Sequence, residues 1–213
     1  MTCRGTVSIL AAFLALACQA GTAGAQSAQA GAAERPEWTV YAGQGVDANL
    51  TGLPKQILRG DIRWEPSYFT AVGYAKPVAL PGWMRGAGTN GPTATVELIG
   101  VQHRGRQTNF EADLALMLRS GYAQIGPAKF RAGFGLGLSY AFGTPSYEDG
   151  SAAEPTRRYR FQNYNAIELE AGLNEYPDTS LVTRVHHRSG FYGLVAPRQV
   201  GSNFLTVGVR HRF

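Results

Sequence analysis

Cysteine is scarce in this chain. Only Cys3 and Cys18 occur among 213 residues, and both fall near the N-terminus. Everything after them lacks a thiol, which excludes disulfide staples and thiolate chemistry. Long hydrophobic runs are missing as well. No stretch beyond the N-terminal segment approaches the roughly 20 apolar residues a transmembrane helix needs. Charge of one sign does not dominate either: 20 Lys and Arg stand against 15 Asp and Glu, a net +5. No nucleic-acid partner is expected.

The first residues read as targeting rather than fold. Arg4 precedes an apolar run from Val7 to Ala17, and small residues follow, ending Ala23-Gly24-Ala25. This pattern predicts a cleaved secretory signal peptide over residues 1–25, cut before Gln26. A lipoprotein reading with Cys18 as the lipidated residue competes, although Ala15 stands where Leu is usual. Residues 26–36 are rich in Ala, Gly and Gln and predict a flexible leader. The remainder, 37–213, must fold after export without covalent staples. A soluble periplasmic protein or a β-barrel satisfies those limits.

What the chain does have is alternation. Phe130, Ala132, Phe134, Leu136, Leu138, Tyr140 and Phe142 share one parity, and Lys129, Arg131, Gly133, Gly135, Gly137, Ser139 and Ala141 the other. The same pattern recurs in 108–120 and 159–173. Period-two alternation marks strands with one apolar and one polar face. The strands expected, near 38–45, 67–77, 93–103, 108–120, 130–142, 159–173, 180–192 and 203–213, run to about 10–13 residues. That length suits tilted membrane-spanning strands and exceeds the usual strand of about 5–6. Segment 57–64 also alternates and reads as an extension of the second strand. The polar faces carry both charge signs and glycine, as in the filled interior of a small barrel. The glycines of "GFGLG" (133–137) fall on one strand face with no helix pattern after them, so they make packing space rather than a dinucleotide loop.

The fold predicted is therefore an all-β, eight-stranded antiparallel transmembrane β-barrel in the outer membrane of a Gram-negative cell. The ending supports it. Leu205, Val207, Val209, His211 and Phe213 share a parity, and the terminal Phe213 resembles the signal by which the barrel-assembly machinery recognises its clients. Eight strands leave a side-chain-filled lumen, which argues against a passive pore.

One run, "RVHHRSGFYGL" (184–194), concentrates polar side chains in a strand. Neighbours in a strand point to opposite faces, so His186 and His187 cannot chelate one metal together, and no metal or cofactor is expected. Arg184, His186 and Arg188 should face the interior and pair there with Glu168 and Glu170. His187 and Ser189 share the apolar, outward parity. A neutral His beside a Ser hydroxyl is a base–nucleophile pair; interfacial polar residues are the alternative reading. With both termini periplasmic, the pair lies near the outer end of strand seven, at the level of the lipopolysaccharide leaflet.

An H-x-S pair on the penultimate strand of an eight-stranded barrel resembles the lipid A 3-O-deacylase family, whose members remove an ester-linked acyl chain through Ser, His and Glu. "GLSYAFGTPSYE" (137–148), "HHRSGFYGL" (186–194) and the "GSNF…RHRF" ending (201–213) resemble a neighbouring barrel group. The resemblance implies His187 as general base, Ser189 as nucleophile and lipid A as substrate. Two departures stand out. The family pattern reads H-x-S-N, whereas Gly190 follows Ser189 here; its backbone N–H is the oxyanion donor the resemblance leaves. The family's Glu is absent from "VGSN" (200–203), and Asn203, on the outward parity, is the residue expected to orient His187, as Asn does in Cys-His-Asn hydrolases. A non-catalytic small barrel with a structural or binding role is the alternative.

Overall fold

The computed structural model describes residues 35–84 and 90–213. The expected signal peptide, 1–25, and most of the leader lie outside the described residues. Eight long strands form: β1 (Glu37–Val46), β2 (Trp64–Val78), β3 (Thr93–Gly105), β4 (Phe110–Arg119), β5 (Ala128–Phe142), β6 (Phe161–Leu173), β7 (Thr179–Ser189) and β8 (Gly201–Arg212). Each pairs antiparallel with its sequence neighbours, and β1 pairs with β8, so the sheet closes on itself. A three-residue strand, Ala123–Ile125, continues the edge of β4 along β5. Closure removes the free sheet edges that would otherwise invite aggregation.

Alternation dictates the two faces. Val40, Val72, Leu98, Leu114, Leu116, Leu136, Leu138 and Val207 are exposed on the outer wall. Aromatic side chains mark both rims of that apolar belt. Trp38, Tyr74 and Phe213 cluster at the end where β1 starts and β8 finishes; Phe110, Tyr140 and Phe142 cluster at the other. An apolar band between aromatic girdles is the exterior of a membrane barrel. The end opposite the termini carries the long connections, 47–63, 143–160 and 190–200, and is called the loop end below.

The interior is filled. A central apolar layer contains Tyr41, Phe69, Ile99, Val101, Met117, Tyr164 and Phe204. Toward the termini, Glu168 accepts from Arg119 at 2.7 Å, Arg184 at 2.6 Å and Arg210 at 2.7 Å. Glu170 meets Arg131 at 2.8 Å, Arg210 at 2.5 Å, and Arg212. The glycine face of "GFGLG" lies inside: a Cβ on Gly135 would sit 2.2 Å from Met117 Sδ, so glycine there makes room for a core side chain.

The expected pairing of His186 and Arg188 with Glu168 and Glu170 is overturned. Register is the reason. Arg184 lies opposite Glu168, but His186 lies opposite Ala166 and Arg188 opposite Tyr164. Both therefore sit nearer the loop end and meet Glu111, at 2.8 Å and 3.2 Å. Arg188 also binds Glu148, which the 143–160 connection folds into the barrel mouth. Tyr147 packs on Phe204 beside it, with ring centroids 5.3 Å apart. That connection is a plug.

Segment 57–64 is not a strand extension; only Trp64 belongs to β2. Residues Leu53–Arg59 form a short helix, α1, with Pro54 in its first turn and Gly60 as a left-handed C-cap at φ 69°. Proline at the start and glycine at the end is the usual helix asymmetry. Leu53 and Ile57, one turn apart, pack with Val46, Val185 and Leu205. Those last two face outward from β7 and β8. The β1–β2 connection thus folds down over the outer wall as a flap.

Candidate active site

The flap covers an unusual part of the wall. Outward positions of β6, β7 and β8 are mostly apolar along their middles, but at the loop end they carry Asn163, Asn165, His187, Ser189 and Asn203. Register makes them neighbours: His187 lies between Asn165 and Asn203, and Ser189 lies opposite Asn163. His186 and Arg188 point the other way, into the barrel, where both are fully buried.

Asn203 holds the imidazole. Its Nδ2 donates to the Ala48 carbonyl of the flap at 2.6 Å, which turns Oδ1 toward β7. His187 Nδ1 lies 2.8 Å from that oxygen. An amide oxygen only accepts, so Nδ1 carries the proton and Nε2 keeps its lone pair. Ser189 Oγ accepts from the Phe191 N–H at 3.4 Å. Among the described residues no hydrogen bond joins His187 to Ser189; the hydroxyl must turn from Phe191 to engage the imidazole. Such looseness is common before substrate binds.

These side chains border a cleft of about 780 Å³ between the wall, the flap and the 190–200 connection. Apolar groups from Val46, Leu50, Phe134 and Phe191 line it together with Arg106 and Arg198. The 190–200 connection is strained. Phe191 at φ 48°, Tyr192 at φ 58° and Gln199 at φ 68° are the non-glycine residues in left-handed backbone among the described residues. Each such residue costs of order 1–3 kcal/mol and persists only where its surroundings hold it.

Gly190 is fixed by that connection. Its carbonyl accepts from the N–H groups of Gly193, Val195 and Ala196 at 3.1–3.2 Å. A Cβ there would lie 2.0 Å from the Pro197 carbonyl oxygen. The Asn of the H-x-S-N pattern has no room at this position.

Metal-ligand types gather in one place among the described residues. Atoms of Glu111, Asp113 and His186 lie within 4.8 Å of one another inside the barrel. Arg188 stands 3.2 Å from Glu111, so a guanidinium already supplies positive charge there.

Comparison with solved structures agrees with this architecture. The crystal structure of the outer membrane enzyme PagL matches 83% of this chain and 99% of its own, with a TM-score of 0.56 at 12% identity. The chain has the fold of an outer-membrane barrel. Neisserial surface protein A also matches, over 84% of this chain and 96% of its own, with a TM-score of 0.49 at 12% identity. So does Ail, the attachment invasion locus protein of Yersinia pestis, over 84% and 99%, with a TM-score of 0.25 at 12% identity. No protein-family model matches the chain, and no curated protein sequence does.

Sequence reasoning passes over Asn163 and Asn165, although parity alone marks them. Both share the outward parity of Phe161, Ile167 and Leu169, where an amide is as anomalous as His187 or Ser189. It also passes over Glu97, Glu111 and Glu148, the carboxylates that take up Arg184, His186 and Arg188.

Proposed function

We propose that this barrel is an esterase of the outer membrane that removes an ester-linked acyl chain from lipid A. In this reading His187 is the general base and Ser189 the nucleophile. Asn203 is the positioning residue. The observation that carries it is the hydrogen-bonded series from the Ala48 carbonyl through Asn203 to His187 Nδ1. It presents Nε2 as a base two residues from a serine on the same face.

Ser189 Oγ attacks the acyl carbonyl and passes its proton to His187 Nε2. A carbon–oxygen bond forms, and the carbonyl electron pair moves to its oxygen. Collapse breaks the bond to the sugar oxygen, which leaves with the proton from Nε2. Water then repeats the sequence on the acyl-serine and releases a fatty acid. His187 and Ser189 are half-buried beside the flap, and a bound acyl chain excludes further water and strengthens each of these polar contacts. The apolar lining suits an acyl chain and Arg198 suits a phosphate of the same lipid, while Arg106 is paired with Glu65 in the same cleft. The pair's position at the loop end suits the lipopolysaccharide leaflet.

Mass spectrometry of lipid A tests the proposal, comparing cells that express the chain with cells that do not. Expression should remove one acyl chain. Ser189→Ala and His187→Ala should each leave lipid A intact while the barrel still shifts on gels upon boiling. Unchanged lipid A from the folded wild-type barrel assigns the chain instead to non-catalytic barrels.

A further inference from the structure

We infer that Asn165, on the strand beside the nucleophile, donates to the oxyanion when the acyl ester is attacked, and that Asn163 positions it. This inference rests on the esterase reading above. It adds a side-chain donor to the Gly190 backbone N–H, since the residue after the nucleophile is a glycine with no room for the Asn of the H-x-S-N pattern.

An oxyanion donor must sit about 3 Å from the oxygen of the carbonyl under attack and must be oriented beforehand. Asn163 and Asn165 meet the second condition through a fixed series. Asn163 Nδ2 donates to the Gly137 carbonyl at 2.7 Å, which settles the orientation of that amide and turns Oδ1 toward Asn165. Asn165 Nδ2 then donates to Asn163 Oδ1 at 2.5 Å. One N–H of Asn165 is thereby committed, and the amide nitrogen is drawn toward the level of Asn163. That level is the level of Ser189, because Asn163 and Ser189 are partners in the β6–β7 register. The second N–H of Asn165 remains.

Placement puts Asn165 within reach of the first condition. Asn165 borders the same cleft as His187 and Ser189. Directly opposed side chains in an antiparallel pair have Cβ atoms about 4.5–5.5 Å apart, and diagonal ones lie within reach of longer side chains. Asn165 is opposed to His187 and diagonal to Ser189. Burial adds weight. Asn163 is 4% exposed and Asn165 8% exposed. A buried amide that leaves a donor unused costs roughly 1–3 kcal/mol, so two adjacent Asn on an outward wall need a use for it.

Asn165→Asp is the test, since it keeps the shape and removes the donor. The purified full-length barrel in detergent is given lipopolysaccharide, and fatty-acid release is followed with boiling-dependent gel mobility as the check on folding. Asn165→Asp and Asn165→Ala should lower kcat by about 10²–10³, the loss typical of one oxyanion donor, with KM little changed. Asn165→Gln should recover part of kcat. Asn163→Ala should lower kcat less, and again without raising KM. Release by folded Asn165→Asp within threefold of wild type overturns this inference and leaves the esterase reading intact. A loss confined to KM overturns it too, because the amide then binds substrate and not the transition state. No release by folded wild type removes the esterase reading and this one with it.

Discussion

His187 and Asn203 face each other across the β7–β8 register, joined at 2.8 Å, and the amide that holds the imidazole is itself held by the Ala48 carbonyl of the flap. Asn203→Ala removes the acceptor that fixes the Nδ1–H tautomer. Turnover should fall about 10- to 100-fold, the value of one hydrogen bond to a group that becomes charged. Asn203→Glu, which returns a carboxylate near the imidazole, should recover activity relative to the Ala variant. Rates of fatty-acid release from the three purified barrels decide it. Equal rates would show that Asn203 does not orient the base.

Arg184 is the interior residue whose loss should hurt folding most plainly. Its guanidinium lies 2.9 Å from Glu97 and 2.6 Å from Glu168. Glu168 keeps Arg119 and Arg210, but Glu97 has no other ion-pair partner among the described residues. Breaking a buried pair from one side costs about 3–5 kcal/mol. Arg184→Ala should lower refolding yield in detergent, and adding Glu97→Gln should recover part of it. Wild-type yield for the single variant would contradict the assigned partners.

The flap should come loose without the barrel. Leu53 is buried against the outer wall with Ile57. Leu53→Ala removes contacts worth about 2–5 kcal/mol at a fully buried site. Limited proteolysis should cut the variant within 47–63 while the boiling-dependent gel shift persists. Loss of the gel shift would mean that flap and barrel are one cooperative unit.

Glu148 makes the plug sensitive to pH. Burial pushes its carboxyl up to about 7, with Arg188 opposing and Glu111 adding to the rise. The folded state therefore holds this proton more tightly than the unfolded chain, whose ordinary value is 4.5. The contribution to stability is complete below about 4.5 and is lost as pH rises through about 7. Hydrogen-exchange protection in 143–160, taken relative to the intrinsic rate at each pH, should fall across that window. Glu148→Gln should flatten the profile, and an unchanged profile in that variant would refute the assignment.

Alternation alone makes the barrel legible in the sequence. Side chains on a strand have a period of two, a closed barrel in lipid needs one apolar parity per strand, and Leu114, Leu116 and Leu118 or Phe134, Leu136 and Leu138 display it directly. His187 and Ser189 were legible for the same reason, as polar residues on the wrong parity. Partners were not. Whether Arg188 meets Glu170 or Glu111 depends on strand register and on height in the barrel, and neither is written in the alternation of a single strand. Helix α1 was hidden by a coincidence: Leu58, Gly60, Ile62 and Trp64 alternate, while its one helical repeat, Leu53 to Ile57, is a single turn long. The plug was hidden because Glu148 acts from an irregular connection, where no periodicity says which way a side chain points.

The flap leaves β1 and rests on β7 and β8, so the site straddles the seam where the two ends of the chain meet. Val46 and Ala48 come from the start of the barrel; His187, Ser189 and Asn203 come from its last two strands. A chain whose final strand has not yet docked has no support for Asn203 and no wall for the flap. Competence is thus tied to completion. The imidazole is aligned only when the cylinder has sealed.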